Sequence, residues 1–209
     1  MAPVSQALSD AATVRQGGEP ESLEMIASPG CEVAIWHRRP LPAFQKWVDG
    51  LPPDRLPTIR TTLPPEQVGT VIDMRCDDAG MTAPDAPFRE MLCHDVAALA
   101  AVFANIMQAP MIRLRLESVE DNACYKFHQD FVPARLISTY RGPGTEYRTQ
   151  IAGSDVGAVN RLDTGSVALF RGRLWSSGAR STVQHRSPQI EGLGKTRLLL
   201  VIDTTAGPA

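Results

Sequence analysis

Pro110-Met111-Ile112-Arg113-Leu114-Arg115-Leu116-Glu117 is the stretch at which this chain changes period. Ile112, Leu114 and Leu116 alternate with Arg113, Arg115 and Glu117. Side chains two residues apart share a face of a strand, so the alternation predicts a half-buried strand. Just upstream, Leu92, Val96, Leu99, Phe103 and Ile106 recur at steps of four, three, four and three. That spacing lays one apolar stripe along a helix, and Pro110 ends it. The switch at Pro110 therefore predicts a helix packed on the outside of a β-structure that begins at residue 111.

Downstream the runs stay short. Ala134 to Arg141 is β-prone and stops at the turn Gly142-Pro143-Gly144. Val167-Ala168-Leu169-Phe170 sits between Gly165 and Gly172. Leu198-Leu199-Leu200-Val201-Ile202 is continuously apolar, as in a strand buried on both faces. Short strands separated by Gly and Pro turns predict a sandwich or barrel.

Upstream, Val33-Ala34-Ile35-Trp36 reads as a strand and Leu41 to Val48 as a short helix carrying Phe44, Trp47 and Val48. Pro52, Pro53, Pro57, Pro64 and Pro65 then exclude long regular elements. Thr82 to Pro87 reads as a loop into the long helix, with Asp85 as its N-cap. Residues 1–25, rich in Ala, Ser, Gly and Gln, are expected to form a disordered tail. The fold class predicted is α+β. A mainly helical region over 26–110 packs on a metal-binding β-barrel core over 111–205.

With 21 basic and 23 acidic residues among 209, no long-range pull toward nucleic acid or an anionic membrane is expected. No run of apolar residues reaches the roughly 18 needed to span a bilayer, and the start lacks the pattern of a secretory signal. Cys31, Cys76, Cys93 and Cys124 form no CxxC pair. Free thiols in a reducing, cytoplasmic compartment are expected. Oligomeric state is not readable.

The sharpest chemical feature is Phe127-His128-Gln129-Asp130. On a strand, residues i and i+2 share a face roughly 6–7 Å apart, so imidazole and carboxylate can converge on one cation. Of the four histidines, His185 alone lies downstream of His128. Two histidines and one carboxylate on one side of an ion leave the opposite positions open, the facial arrangement of non-haem Fe(II) oxygenases. Arg197, at the start of the last apolar run, is placed to pair with a carboxylate. Cys124 shares strand parity with His128, but four residues of strand span about 13 Å. It reaches the same ion only through a bent segment and otherwise reads as a small buried hydrophobe. His37 and His94 read as structural or solvent-facing. Arg135, Tyr140, Arg141 and Trp175 are candidate pocket residues. Strand alternation groups Arg135, Ile137, Thr139 and Arg141 on one face and Leu136, Ser138 and Tyr140 on the other, and only one set can look inward. Arg197 shares strand parity with Leu199 and Val201, and that face is expected to line the cavity.

The order His128-Gln129-Asp130, Arg135 to Tyr140, Gly142 to Glu146, Gly165 to Phe170, His185-Arg186-Ser187-Pro188 and Arg197 to Leu200 resembles the Fe(II)/2-oxoglutarate oxygenases. The resemblance covers about 95 residues and implies a double-stranded β-helix, or jelly-roll, cupin-like core. It implies Fe(II) on His128, Asp130 and His185 as the catalytic centre. It also implies 2-oxoglutarate bound with help from Arg197, Arg135 and Thr139, and oxidation of an unknown, small-molecule substrate.

Cys124 to Asp130, Thr139 to Thr145 and His185 to Pro188 resemble more closely a bacterial family known as domain of unknown function 1826. That resemblance brings no activity. It implies occasional gene neighbours in zinc homeostasis, so the alternative is a non-enzymatic zinc- or iron-handling protein using Cys124, His128 and His185.

Overall fold

The computed structural model describes residues 13–150, 157–176 and 181–205. Its strands are β1 (Val14–Gly17), β2 (Val33–Trp36), β3 (Ile59–Leu63), β4 (Ile112–Val119), β5 (Ala134–Arg141), β6 (Glu146–Thr149), β7 (Asn160–Arg161), β8 (Val167–Arg171), β9 (Val183–Arg186) and β10 (Arg197–Thr204). Its α-helices are α1 (Pro42–Gly50), α2 (Val68–Asp78) and α3 (Ala86–Met107). The chain is a mixed α+β protein with two sheets. One has seven strands in the order β1-β2-β8-β5-β10-β4-β3, and the other three in the order β7-β6-β9.

From residue 111 onward every strand pair is antiparallel; β1 and β2 pair in parallel. The division at residue 110 does not separate helices from sheet, because β1, β2 and β3 extend both sides of the sheet that β4, β5, β8 and β10 build. Nor is the whole stretch over 1–25 a tail. Val14–Gly17 pairs with β2, and the 3-10 helix Pro20–Ala27 buries Leu23 and Ile26. Residues 1–12 of that expected tail lie outside the described residues.

The period change at Pro110 divides the core into two layers. Leu92, Val96, Leu99 and Phe103 of α3 pack with Ile112, Leu114 and Leu116 of β4, Leu136 of β5, and Leu198, Leu200 and Ile202 of β10. On the other face, Leu199 and Val201 of β10, Ile137 of β5 and Phe170 of β8 pack with Tyr147 and Val183 of the small sheet. All eight residues of β10 are buried, the outcome its continuous apolar run requires. Ala83–Met107 is, by length and composition, long and apolar enough to cross a membrane, contrary to the sequence expectation; its apolar stripe is packed into this core.

Each end of α3 has a local cause. At its start Thr82 N donates to Asp85 Oδ2 at 2.9 Å, and Trp47 Nε1 donates to Asp85 Oδ1 at 2.9 Å. At its end Gln108 takes a left-handed conformation, φ 49°, which stops the helix before Pro110 is reached. One irregularity matters for the site. Leu198 pairs with Arg141 and Leu199 with Thr139, so β5 carries one extra residue, Tyr140. The bulge re-aims the side chains at that point of the strand: Tyr140 joins the helical layer, and Arg141 Nη1 donates to Leu51 O at the end of α1.

Candidate metal centre

His128 and His185 face each other across an isolated antiparallel bridge. Each backbone N–H donates to the other's carbonyl at 3.0 Å, and the rings lie 4.8 Å apart. Outside that bridge, residues 127–130 are loop rather than strand. Neighbours hold the loop in place. Phe127 lies under the guanidinium groups of Arg148 and Arg186, at 4.2 and 4.3 Å. Gln129 Nε2 donates to Val183 O at 3.2 Å. Arg173 N donates to Asp130 O at 2.9 Å. Gly172 permits this approach, because a Cβ there would sit 1.9 Å from Val132 O.

The side chains of His128, Asp130 and His185 each offer one donor atom, all within 4.8 Å of one another. His128 Nδ1 is 2.8 Å from Lys126 O. A carbonyl only accepts, so Nδ1 carries a proton, and in the neutral ring the lone pair is on Nε2, the nitrogen on the Asp130 side. His185 is nearly buried; burial pushes its pKa down despite Asp130, so the ring is neutral at pH 7. For His128, the Asp130 contact pushes the pKa up. Burial opposes ionisation of Asp130, but His128, His185 and Arg135 together hold it well below the ordinary carboxylate range.

Asp130 Oδ2 is 3.0 Å from His185 Nε2, yet it is buried without a satisfied hydrogen bond. An ionised carboxylate oxygen buried without a hydrogen bond, in a cluster with two imidazoles, is a poor arrangement for a site holding nothing and a good one for a divalent cation. The residues fit a metal of the facial class.

The centre opens on a cavity of about 80 Å³ whose lining includes Cys124, His128, Arg135, Thr145, His185 and Ser187. Behind Thr145 and Ser187 lies Arg197, fully buried. Its Nε donates to Pro143 O at 2.8 Å, and Nη1 to Ser187 Oγ at 3.1 Å. Its Nη2 donates to Thr145 Oγ1 at 3.2 Å and Thr139 Oγ1 at 3.4 Å. Gly142, at φ +78°, makes this seat, since a Cβ there would lie 2.6 Å from Thr196 O. Burial and then the charge of Arg161 pull the Arg197 pKa down to about 10, so it remains cationic at pH 7. No carboxylate pairs with it among the described residues. A buried cation surrounded by rotatable hydroxyls is matched to an incoming carboxylate.

The remaining candidates divide. Thr139 faces the cavity side and contacts Arg197. Arg135 also faces inward, but its fork is taken: Nε and Nη2 donate to Asp203 at 2.7 and 2.8 Å, and Nη1 donates to Asp130 Oδ1. Arg141 and Tyr140 lie on the helical side, because the bulge breaks the alternation that grouped Arg141 with Arg135. Trp175 stacks with Arg171 at 4.5 Å. Cys124 lines the cavity but is exposed, at φ 58°, and stands outside the donor cluster. It is therefore neither the buried hydrophobe nor the third ligand considered from sequence. His37 hydrogen-bonds Gln16, and His94 is exposed on α3.

A larger cavity, about 470 Å³, opens beside His94 on the helical face. Its polar groups include partly buried Arg38 and Asp95, which pair with each other, and Arg38 and Tyr140 both donate to Asp95. Among the described residues it holds no cluster of possible metal ligands, so the candidate site is the smaller cavity.

Residues 17–203 match a family described as protein of unknown function, DUF1826. The chain belongs to that family. No curated protein matches it. Among solved structures it is similar to the dioxygenase for auxin oxidation 1 from Arabidopsis thaliana in complex with 2-oxoglutarate. The TM-score is 0.55 at 12% identity, covering 94% of this chain and 92% of that one. It is also similar to the dioxygenase for auxin oxidation in rice, with TM-score 0.49 at 15% identity, covering 92% and 82%. The first of these likenesses shows a shared fold.

Proposed function

We propose that this DUF1826 protein is an Fe(II)- and 2-oxoglutarate-dependent oxygenase acting on a small-molecule substrate. Its two sheets are then an elaborated double-stranded β-helix, with β1–β3 added to the larger sheet. The observation that carries the reading is the pairing of a buried carboxylate oxygen without a hydrogen bond and a buried cation without a carboxylate partner among the described residues. Asp130 Oδ2 lies beside His185, and Arg197 is buried behind Thr145 and Ser187 of the same pocket's wall. A metal satisfies the first and a diacid's far carboxylate the second. The Arabidopsis relative in fold was solved with 2-oxoglutarate, a diacid of that kind.

His128, Asp130 and His185 would hold the metal on one face. Arg197 would fix the far carboxylate, with Thr139, Thr145 and Ser187 turning their hydroxyls toward it. Iron and 2-oxoglutarate together supply, from dioxygen, an oxidant for C–H attack, with succinate and CO₂ as co-products. The protein's part is to orient the groups and keep water out, and the apolar walls Ile137, Leu199 and Val201 serve the second task. No nucleic acid or membrane partner enters this reading. Four free cysteines fit a cytoplasmic setting.

The test is anaerobic calorimetric titration of 2-oxoglutarate into wild type and His128→Ala, each with and without Fe(II). Binding to the wild type that needs the metal, and is absent from the variant, is the expected result. Metal uptake without any 2-oxoglutarate binding would instead favour a metal-handling protein, and zinc would then replace iron as the ion to test.

A further inference from the structure

We infer that Arg135 and Asp203 are positioning residues that restrict Asp130 to a single-oxygen metal ligand. The inference rests on the metal reading above and concerns how the site is kept open for more than one exogenous ligand.

A carboxylate can meet a metal through one oxygen or chelate it through both. Here the two oxygens are differently placed. Asp130 Oδ1 accepts from Arg135 Nη1, whereas Oδ2 lies beside His185 Nε2 and is buried without a hydrogen bond. A charge-assisted bond to Oδ1 competes directly with chelation through that atom. Oδ2 is left as the ligand.

Arg135 cannot drift from this post, because Asp203 grips it. The two residues face each other in register on β5 and β10. Arg135 Nε and Nη2 make a two-point fork to Asp203 at 2.7 and 2.8 Å. Asp203 is 1% exposed, and a second cation, Arg115, stands 3.5 Å from its Oδ2. Asp203 is thus held between two guanidinium groups, those of Arg135 and Arg115. A planar guanidinium held by a two-point fork has its third edge fixed in direction, which an ammonium would not. The row Arg197, Leu199, Val201, Asp203 along one face of β10 places the anchor for Arg135 and the unpaired cation Arg197 at opposite ends of one strand.

The consequence is a count of coordination positions. In an octahedral shell, two histidines and a one-oxygen aspartate leave three positions open, and a chelating aspartate leaves two. A co-substrate that binds through two atoms, plus dioxygen, requires three.

Water-proton relaxation by bound Mn(II) reads the open positions directly, because each holds an exchangeable water. Wild type, Arg135→Gln, Arg135→Lys and Asp203→Asn are loaded with Mn(II), and bound metal is counted by the loss of the free-ion electron paramagnetic resonance signal. Per bound Mn(II), Arg135→Gln is expected to lower the inner-sphere relaxivity by about one third, from three waters to two. Asp203→Asn, isosteric and expected to keep the fold, should shift it in the same direction. Arg135→Lys, which retains a donor for Oδ1, should recover part of the loss. If Asp203→Asn and whichever Arg135 variants bind Mn(II) match the wild-type relaxivity, the positioning role is wrong while the metal site stands. If the wild type binds no Mn(II), both readings fall together.

Discussion

Arg197→Ala is the substitution whose outcome bears most directly on the co-substrate. The guanidinium is fully buried, makes four hydrogen bonds to uncharged oxygens and has no acidic partner. A carboxylate delivered to this seat in the wild type gains a paired cation in a dry environment. In Arg197→Ala the same carboxylate would be buried unpaired, a loss of roughly 3–5 kcal/mol. At about 1.4 kcal/mol per decade, 2-oxoglutarate should bind roughly two to three and a half orders of magnitude more weakly. Metal affinity should change little, since none of the three donors touches Arg197. The variant also strands Pro143 O and leaves a void, so Arg197→Met, which refills the volume without charge, is the paired control. Anaerobic calorimetry on the metal-loaded proteins gives both constants. If wild type binds 2-oxoglutarate and the two variants bind it within tenfold of wild type, Arg197 does not hold the far carboxylate.

Two further outcomes come from geometry. The contact from the Thr82 backbone N–H, then that from the Trp47 indole, lowers the Asp85 pKa to about 2 against some burial, with Arg55 adding to the effect. A lowered carboxylate pKa contributes stability above the unfolded value and loses it as pH falls through the folded one. Asp85→Asn should therefore cost about 2 kcal/mol in urea unfolding at pH 7. The gap to wild type should close between about pH 4 and pH 2, and a gap independent of pH would count against this assignment. At Gly172 an added Cβ meets Val132 O at 1.9 Å and Asp130 O at 3.1 Å. Gly172→Ala should cost roughly 1–3 kcal/mol through overpacking and weaken Mn(II) binding by displacing Asp130; unchanged Mn(II) affinity would show that the strap does not position the ligand.

Much of the fold was legible because period is a local property. The alternation after Pro110 and the stripe on α3 each declare a face, and the structure packs those faces together. What escaped was short or non-local. Val68, Ile72 and Cys76 make a stripe of only about two turns on α2, too little to stand out between prolines. β1 and the 3-10 helix at Pro20–Ala27 have tail-like composition, and their order comes from partners far along the chain: β1 pairs with β2, and Arg171 Nη2 donates to Ile26 O at 2.6 Å. Composition cannot see such partners. For the same reason composition could not show that β3 joins the sheet built beyond residue 110, since its membership is decided by its pairing with β4.

In the site, the residues that sequence brought together share a simple geometry, and those it misplaced lie beyond a break in that geometry. His128 and Asp130 lie on one side although only His128 makes a bridge and the rest of the segment is loop, where contacts such as that from Arg173 N to Asp130 O hold the backbone. Strand parity carries Arg135, Ile137 and Thr139 to the inner face and fails at Arg141, one residue past the bulge at Tyr140. A bulge adds a residue without a composition signal strong enough to announce it. Asp203 was readable and went unread. It continues the parity of Arg197, Leu199 and Val201, and a charged residue ending an otherwise apolar strand needs a partner of opposite sign. Arg135, at the same level of the neighbouring strand, is that partner. The same parity also explains why Arg135 does not duplicate Arg197. Two inward cations stand on adjacent strands of one cavity wall. The one opposite Asp203 is paired with it and turned toward Asp130, which leaves Arg197 as the buried cation without a carboxylate partner among the described residues.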